Sequence, residues 1–294
     1  MKILYILLTS WLMITVSFGQ SVSPDVIATS GDYFQNANVS LSWTMGELIT
    51  ETFSNGNIAL TQGFQQPLSI TIHGIDLDVL VYLEGPYNET DMNTDLTGLN
   101  DFPTTQPYNL SPWNYTGTEN ASPIPPDVVD WVLVELRDAV SPETATTSVA
   151  QQAAFLLKDG SVVGMDGSSV LQFPAASFDY DIYVVVWHRN HLGVMSNSGA
   201  IGSGGVYSYN FSTGAGQAYG GADGHKDLGA VYGMFAGDGN ANDIVEITDK
   251  TVWANLAGQS GYYAGDYNLD AQNNNQDKND KWYPNINEES QVPE

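Results

Sequence analysis

Two stretches, beginning at Asp238 and Asp266, share one spelling built from short oxygen-bearing side chains. The first reads Asp238-Gly239-Asn240-Ala241-Asn242-Asp243-Ile244-Val245-Glu246-Ile247-Thr248-Asp249. The second reads Asp266-Tyr267-Asn268-Leu269-Asp270-Ala271-Gln272-Asn273-Asn274-Asn275-Gln276-Asp277. Each places a carboxylate or carboxamide at loop positions 1, 3 and 5 and an acid at position 12. Short oxygen ligands at that spacing converge on a hard cation, to which position 7 adds a backbone carbonyl. The chemistry expected of them is the binding of two calcium ions. The plainer reading is a pair of Asx-rich surface turns, because Asn and Asp favour turns unaided. Agreement at four side-chain positions in both loops argues against it.

Other residues offer weaker chemistry. His188 and His191, beside Arg189 and Asn190, suit a metal or a proton relay, but a transition-metal site needs a third ligand that the sequence does not place. A hydrogen-bonded cluster at a strand end is the favoured reading. Asp130, Glu135 and Asp138 supply carboxylates for glycosidase-type acid/base work. Glu135 and Arg137 share a strand face by period 2, so a structural ion pair competes with that role. Tyr108, Trp113, Tyr115 and Trp131 form either an aromatic platform for sugar rings or a set of pins holding a long loop to the core. No serine nucleophile elbow, phosphate loop or zinc-hydrolase helix is present, and no catalytic residue is assigned.

The elements that must position these groups read as mainly β. Residues 1–19 have a basic start, an apolar stretch and small residues near Gly19, the pattern of a secretory signal peptide. Residues 20–67 alternate apolar and hydroxyl side chains between Asn/Gly turns, as short hairpins do; Asn55-Gly56 suits a tight hairpin turn. From 68 to 215, strands are expected at Leu77–Glu84, Trp131–Arg137, Gln152–Leu157, Ile182–His188 and Val206–Phe211, forming an antiparallel β-sandwich. Residues 86–126 make a long loop without periodicity, a kind of segment that tends to be functional. A Gly-rich junction spans 216–236, and 237–294 holds the two loops, each followed by a short helix-like stretch.

The C-terminal segment, over roughly 237–283, resembles a dockerin module: paired calcium loops, an acid at position 12 and a helix after each. The resemblance implies Asp238, Asn240, Asn242 and Asp249 as first-site ligands, with the Ile244 carbonyl. It implies Asp266, Asn268, Asp270 and Asp277 for the second, with the Gln272 carbonyl. Position 6, usually Gly, is Asp243 in one loop and Ala271 in the other; alanine meets a steric cost at positive φ, so the second site is expected to be the weaker. Positions 10 and 11 read Ile247-Thr248 and Asn275-Gln276, unlike the Ser-Thr type of pair through which dockerins bind cohesins. Ser23-Pro24-Asp25-Val26-Ile27-Ala28, Leu41-Ser42-Trp43-Thr44-Met45-Gly46-Glu47 and Trp187-His188-Arg189-Asn190-His191-Leu192-Gly193 are similar to stretches of exported Bacteroidetes-type proteins without assigned chemistry.

Composition narrows the classes. Lys and Arg total 8 against 34 Asp and Glu, a formal charge of −26. Nucleic acid is excluded as a partner, because phosphate binding needs clustered Lys and Arg. With no cysteine, stability must come from a core, from metal, or from both. Past the signal segment no stretch is apolar enough to span a membrane. The expectation is a secreted or cell-surface calcium-binding protein with a non-catalytic, adhesive or carbohydrate-associated role. Its partner would be a glycan, a protein, or its own β body through docking of the C-terminal module. The alternative is a secreted polysaccharide-degrading glycoside hydrolase or accessory component.

Overall fold

The computed structural model describes residues 74–203 and 205–294, together with four short strands nearer the N-terminus. Those strands form two antiparallel pairs: β1 (Ser30–Gln35) with β2 (Ser40–Met45), and β3 (Thr52–Ser54) with β4 (Ala59–Thr61). They belong to one compact unit and Thr71–Glu294 to another. The signal-peptide expectation over 1–19 and the Asn55-Gly56 turn lie outside the described residues.

The second unit is mainly β and is built around one large curled sheet. Its strands are β5 (Ile75–Leu80), β6 (Val128–Ala139), β7 (Ser148–Leu157), β8 (Ser161–Val163), β9 (Leu171–Phe173), β10 (Asp181–His188), β11 (His191–Met195), β12 (Ile201–Ser203) and β13 (Val206–Asn210). They run in the order β11-β10-β6-β7-β8-β5-β13-β12, with β9 also paired to β5. All pairings are antiparallel except β5 with β13. A small hairpin, β14 (Lys226–Asp227) with β15 (Tyr232–Gly233), follows the sheet.

β5 alternates as a half-buried strand does: Ile75, Leu77 and Val79 point into the core while Asp78 faces solvent. β6 does not alternate, since Val132, Leu133, Val134 and Leu136 are all buried. It is central and covered on both faces, which is why its sequence is a continuous apolar run. On one face Val134 and Leu136 pair with Val186 and Val184 of β10. On the other, Leu133, Glu135 and Arg137 sit opposite Trp187, Val185 and Tyr183, with Gln151 of β7 beside Glu135.

The segment between β5 and β6 covers part of that second face. It buries Met92, Leu96, Phe102 and Tyr108. The Tyr108 hydroxyl donates to the Trp131 carbonyl at 2.7 Å, and the Trp131 indole donates to the Pro103 carbonyl at 2.9 Å. Tyr108 and Trp131 are therefore pins of the loop, closed to any ligand.

The C-terminal segment packs against the same body. Leu192, Phe235, Ala236, Val245, Tyr267 and Trp282 form one buried cluster. The one α-helix among the described residues, α1, spans Ile247–Leu256 after the first loop. Asp277–Trp282, after the second, is a turn of π-helix. Among the described residues no helix is long and apolar enough to cross a membrane.

Candidate calcium loops and the network behind them

Loop 1 (238–249) and loop 2 (266–277) are held by the same hydrogen bonds. In loop 1 the Asp238 carboxylate accepts from the amides of Asn242 and Asp243, at 3.1 and 3.0 Å. In loop 2 the Asp266 carboxylate accepts from Asp270 and Ala271, at 3.2 and 2.9 Å. The position-12 acids match as well: Asp249 accepts from the amides of Asn240 and Glu246, and Asp277 from those of Asn268 and Asn274. The side-chain oxygens of Asn240 and Asn268 each accept from the amide two residues on, at 3.1 Å. Positions 4 and 6 of both loops adopt positive φ: Ala241 54° and Asp243 69°, Leu269 56° and Ala271 67°. The turn thus asks for left-handed backbone at two alanines and a leucine, where side chains carry a steric cost.

The acids at positions 1 and 12 are buried: Asp238 is 2% exposed, and Asp249, Asp266 and Asp277 are fully enclosed. Burial, reinforced by Asp249, pushes the Asp238 carboxyl up to about 7. Burial raises Asp266 to about 8, with Asp277 and Asp270 adding to it and Arg189 opposing. Asp277 rises to about 6, from burial first and then Asp270. Asp249 is raised by burial as well. Enclosed carboxylates with so little positive charge beside them are costly unless a cation joins them. The donor set is all oxygen, as a hard cation requires. Among the described residues no three or more His, Cys, Asp or Glu come together as a metal cluster. At positions 1, 3, 5 and 12 loop 1 carries two acids, Asp238 and Asp249, with Asp243 and Glu246 elsewhere in it; loop 2 carries Asp266, Asp270 and Asp277 at those positions.

The two loops are fastened to each other reciprocally. The Trp253 indole, after loop 1, donates to the Asn274 carbonyl in loop 2. The Trp282 indole, after loop 2, donates to the Glu246 carbonyl in loop 1 at 2.9 Å. Asn274 and Glu246 both occupy position 9. Lys278 lies over Trp253 and Lys250 over Trp282, 4.6 and 5.9 Å from the ring centres; both lysines occupy position 13. Counted from its own loop, Trp282 stands one residue later than Trp253, and the π-helical turn absorbs that residue. Trp282 also packs with Leu192 and Phe235 of the body, and Trp253 lies against the same cluster. The register that pairs them is not written locally.

Behind loop 2 stands the tip of the β10–β11 hairpin. Asn190, fully buried, donates to the carbonyls of Asp266 and Ala264 at 2.7 and 3.1 Å and accepts at its own carbonyl from the Gly237 amide. Arg189 donates to the Tyr263 carbonyl and to Asp130. Asp130 collects four donors: the Trp131 amide, the Tyr262 hydroxyl, Arg189 and His188, at 2.8, 2.7, 2.8 and 3.1 Å. Burial alone would raise its carboxyl, but Arg189, helped by His188 and Tyr262, holds it at about 2.

The histidines follow from their partners. Gly85 N–H donates to His191 Nε2, so the proton of neutral His191 sits on Nδ1, within 3.1 Å of His188 Nδ1 and 2.9 Å of the Asn190 amide oxygen. His188 then presents Nε2–H to Asp130. Burial lowers both rings' proton affinity. They form the expected hydrogen-bonded cluster at a strand end, and among the described residues no group of three or more metal-ligating side chains includes them.

The remaining carboxylates considered for catalysis are occupied. Glu135 takes Arg137 at 2.7 Å on one oxygen, and the Trp187 indole and Gln151 amide on the other at 3.0 and 3.1 Å. Asp138 accepts the amides of Asp179 and Tyr180, closing the turn into β10. No protein-family model, curated protein or solved structure matches the chain.

Proposed function

We propose that this chain is an exported, calcium-binding protein with a non-catalytic binding or structural role, its β-sandwich body carrying a dockerin-like C-terminal module. The observation that carries the reading is the pair of loops with matching hydrogen bonds, whose four enclosed carboxylates have almost no protein cation beside them. Asp238, Asn240, Asn242, Asp249 and the Ile244 carbonyl would hold one calcium ion. Asp266, Asn268, Asp270, Asp277 and the Gln272 carbonyl would hold the other, more weakly because of the strain at Ala271. Bound calcium supplies the positive charge that these carboxylates otherwise lack. The hydrolase alternative is the less favoured, since Asp130, Glu135 and Asp138 each spend both oxygens on hydrogen bonds within the protein.

The test is thermal unfolding in calcium and in EGTA, with titration calorimetry for stoichiometry. Each site at about a hundred times its Kd adds about 2.7 kcal/mol. In a domain of this size each kcal/mol moves Tm by about 2–4 °C. Two ions per chain and a Tm higher by about 10–20 °C are expected. Equal melting curves in both buffers would end the proposal.

A further inference from the structure

The chain that leaves each half of the C-terminal segment returns to the loop of the other half. Ile244, position 7 of loop 1, forms an antiparallel bridge with Glu289, and Gln272, position 7 of loop 2, forms one with Ser260. Ser260 stands seven residues after Trp253, and Glu289 seven after Trp282. The flanking hydrogen bonds repeat pair by pair. The Val245 amide donates to the Glu288 carbonyl at 2.9 Å, as the Asn273 amide does to that of Gln259 at 2.9 Å. The Ser290 amide donates to the Asp243 carbonyl at 2.8 Å, as the Gly261 amide does to that of Ala271 at 3.2 Å. Asn287 and Gly258 donate to the carbonyls of Val245 and Asn273 at 2.9 and 2.7 Å, and both have positive φ, 74° and 85°. Gly and Asn are the residues that adopt that conformation most readily.

This pattern decides what position 7 can do. In both bridges the hydrogen bonds run between the neighbours of the bridged pair, which is the non-hydrogen-bonded arrangement of an antiparallel ladder. The bridged residue's own N–H and C=O then face away from the partner strand. On that far side the Gln272 amide donates to the Asp270 carboxylate at 2.9 Å, inside its own loop. The exit segments therefore hold the Ile244 and Gln272 carbonyls on the loop side while leaving their oxygens free. A backbone ligand fixed in this way needs little further ordering when a cation arrives.

We propose that residues 287–290 are a positioning element of the first calcium site, holding the Ile244 carbonyl for its ion as residues 258–261 hold that of Gln272 for the second. The duplicated half thus runs on to Ser290, past the end of the dockerin-like stretch. Beyond the clamp the chain is fastened to the sheet. The Ser290 hydroxyl donates to the Gly193 carbonyl at 2.9 Å, Arg137 donates to the Pro293 carbonyl at 2.6 Å, and Val292 packs against the cluster of Tyr183, Val185 and Met195. A tail that merely covered the sheet would account for those anchors, but not for the bond-by-bond match with residues 258–261. The proposal rests on the calcium reading above.

The experiment is an NMR titration of the full chain with chelator-buffered calcium, following the Asp243 and Ala271 amides. Each is bonded to the position-1 carboxylate of its own loop, so each reads one site. Ser290→Pro removes a clamp donor, and Glu289 before it already lies in an extended bridge, as a residue preceding proline prefers. The calcium concentration that half-saturates loop 1 should rise about ten-fold and that of loop 2 by less. Ser290→Ala, which keeps the amide, should restore loop 1. A chain ending at Ile286 should show the same selective loss. In EGTA the Val245 amide should exchange faster in Ser290→Pro than in Ser290→Ala, a readout that needs no calcium. Loop 1 affinity that Ser290→Pro leaves intact, or that Ser290→Ala lowers equally, overturns the clamp and leaves the calcium reading standing. Absence of any calcium-dependent shift at both amides of the wild type overturns the calcium reading and the clamp's role with it.

Discussion

Replacing Asp130 by Asn tests the network that joins the sheet to loop 2. Asp130 is fully enclosed and accepts four hydrogen bonds, two of them from Arg189 and His188. Its carboxyl is held at about 2 against an ordinary 3.8, a preference for the charged form of about 2 kcal/mol. Asparagine removes the charge and turns an amine toward groups that themselves donate. Arg189, 9% exposed, keeps its charge without a partner, and breaking one side of a buried pair costs about 3–5 kcal/mol. Urea unfolding at pH 7 with calcium held constant should therefore show Asp130→Asn less stable by about 3–5 kcal/mol. The pH dependence supplies a second check. A carboxyl whose folded pKa lies below its unfolded value contributes stability above about pH 4 and loses it as pH falls toward 2. The gap between wild type and variant should narrow over that window. A loss under about 1 kcal/mol, or a gap indifferent to pH, would refute the reasoning.

His225 is 1% exposed, neither ring nitrogen has a hydrogen-bond partner among the described residues, and burial lowers it to about 4. The unfolded chain takes up that proton first, so the native state should lose about 3 kcal/mol as pH falls from about 6.5 to 4. Denaturant titrations across that range should show His225→Phe flattening this part of the curve. Gly193→Ala would drive a Cβ into the Trp187 ring; overpacking of that kind costs about 1–3 kcal/mol. The Trp187 indole N–H signal in an NMR spectrum should move as its bond to Glu135 breaks, and an unmoved signal would mean the ring does not lie where described.

The loops were legible because their information is local: short oxygen side chains at fixed offsets define the same turn wherever they occur. Even the positive φ at Asp243 and Ala271 follows from position 6, although the one at position 4 does not. Strands β6 and β10 were legible from their apolar runs at Val132–Leu136 and Ile182–Val186. The parallel partnership of β13 with β5 was not, since Val206–Asn210 carries no mark of strand direction. Tyr108 and Trp131 looked available in sequence because nothing local says that the loop folds back over the sheet. Asn190 drew notice only as a neighbour of the histidines, yet its amide meets loop 2 from more than seventy residues away. Contacts of that range come from packing, which periodicity does not encode.

The reciprocal tryptophans have a kinetic consequence. Opening loop 1 strips the Trp282 indole of its acceptor at Glu246, and opening loop 2 strips Trp253 of Asn274. Neither loop can fray without loosening the other, so the pair should open as a single unit. Hydrogen exchange at Asn242 and Asp243 would then run at the same opening free energy as exchange at Asp270 and Ala271, although the two sets lie on separate turns of chain. The extra residue in the π-helical turn is what keeps the second indole in step with the first, and deleting it would let the two halves breathe independently.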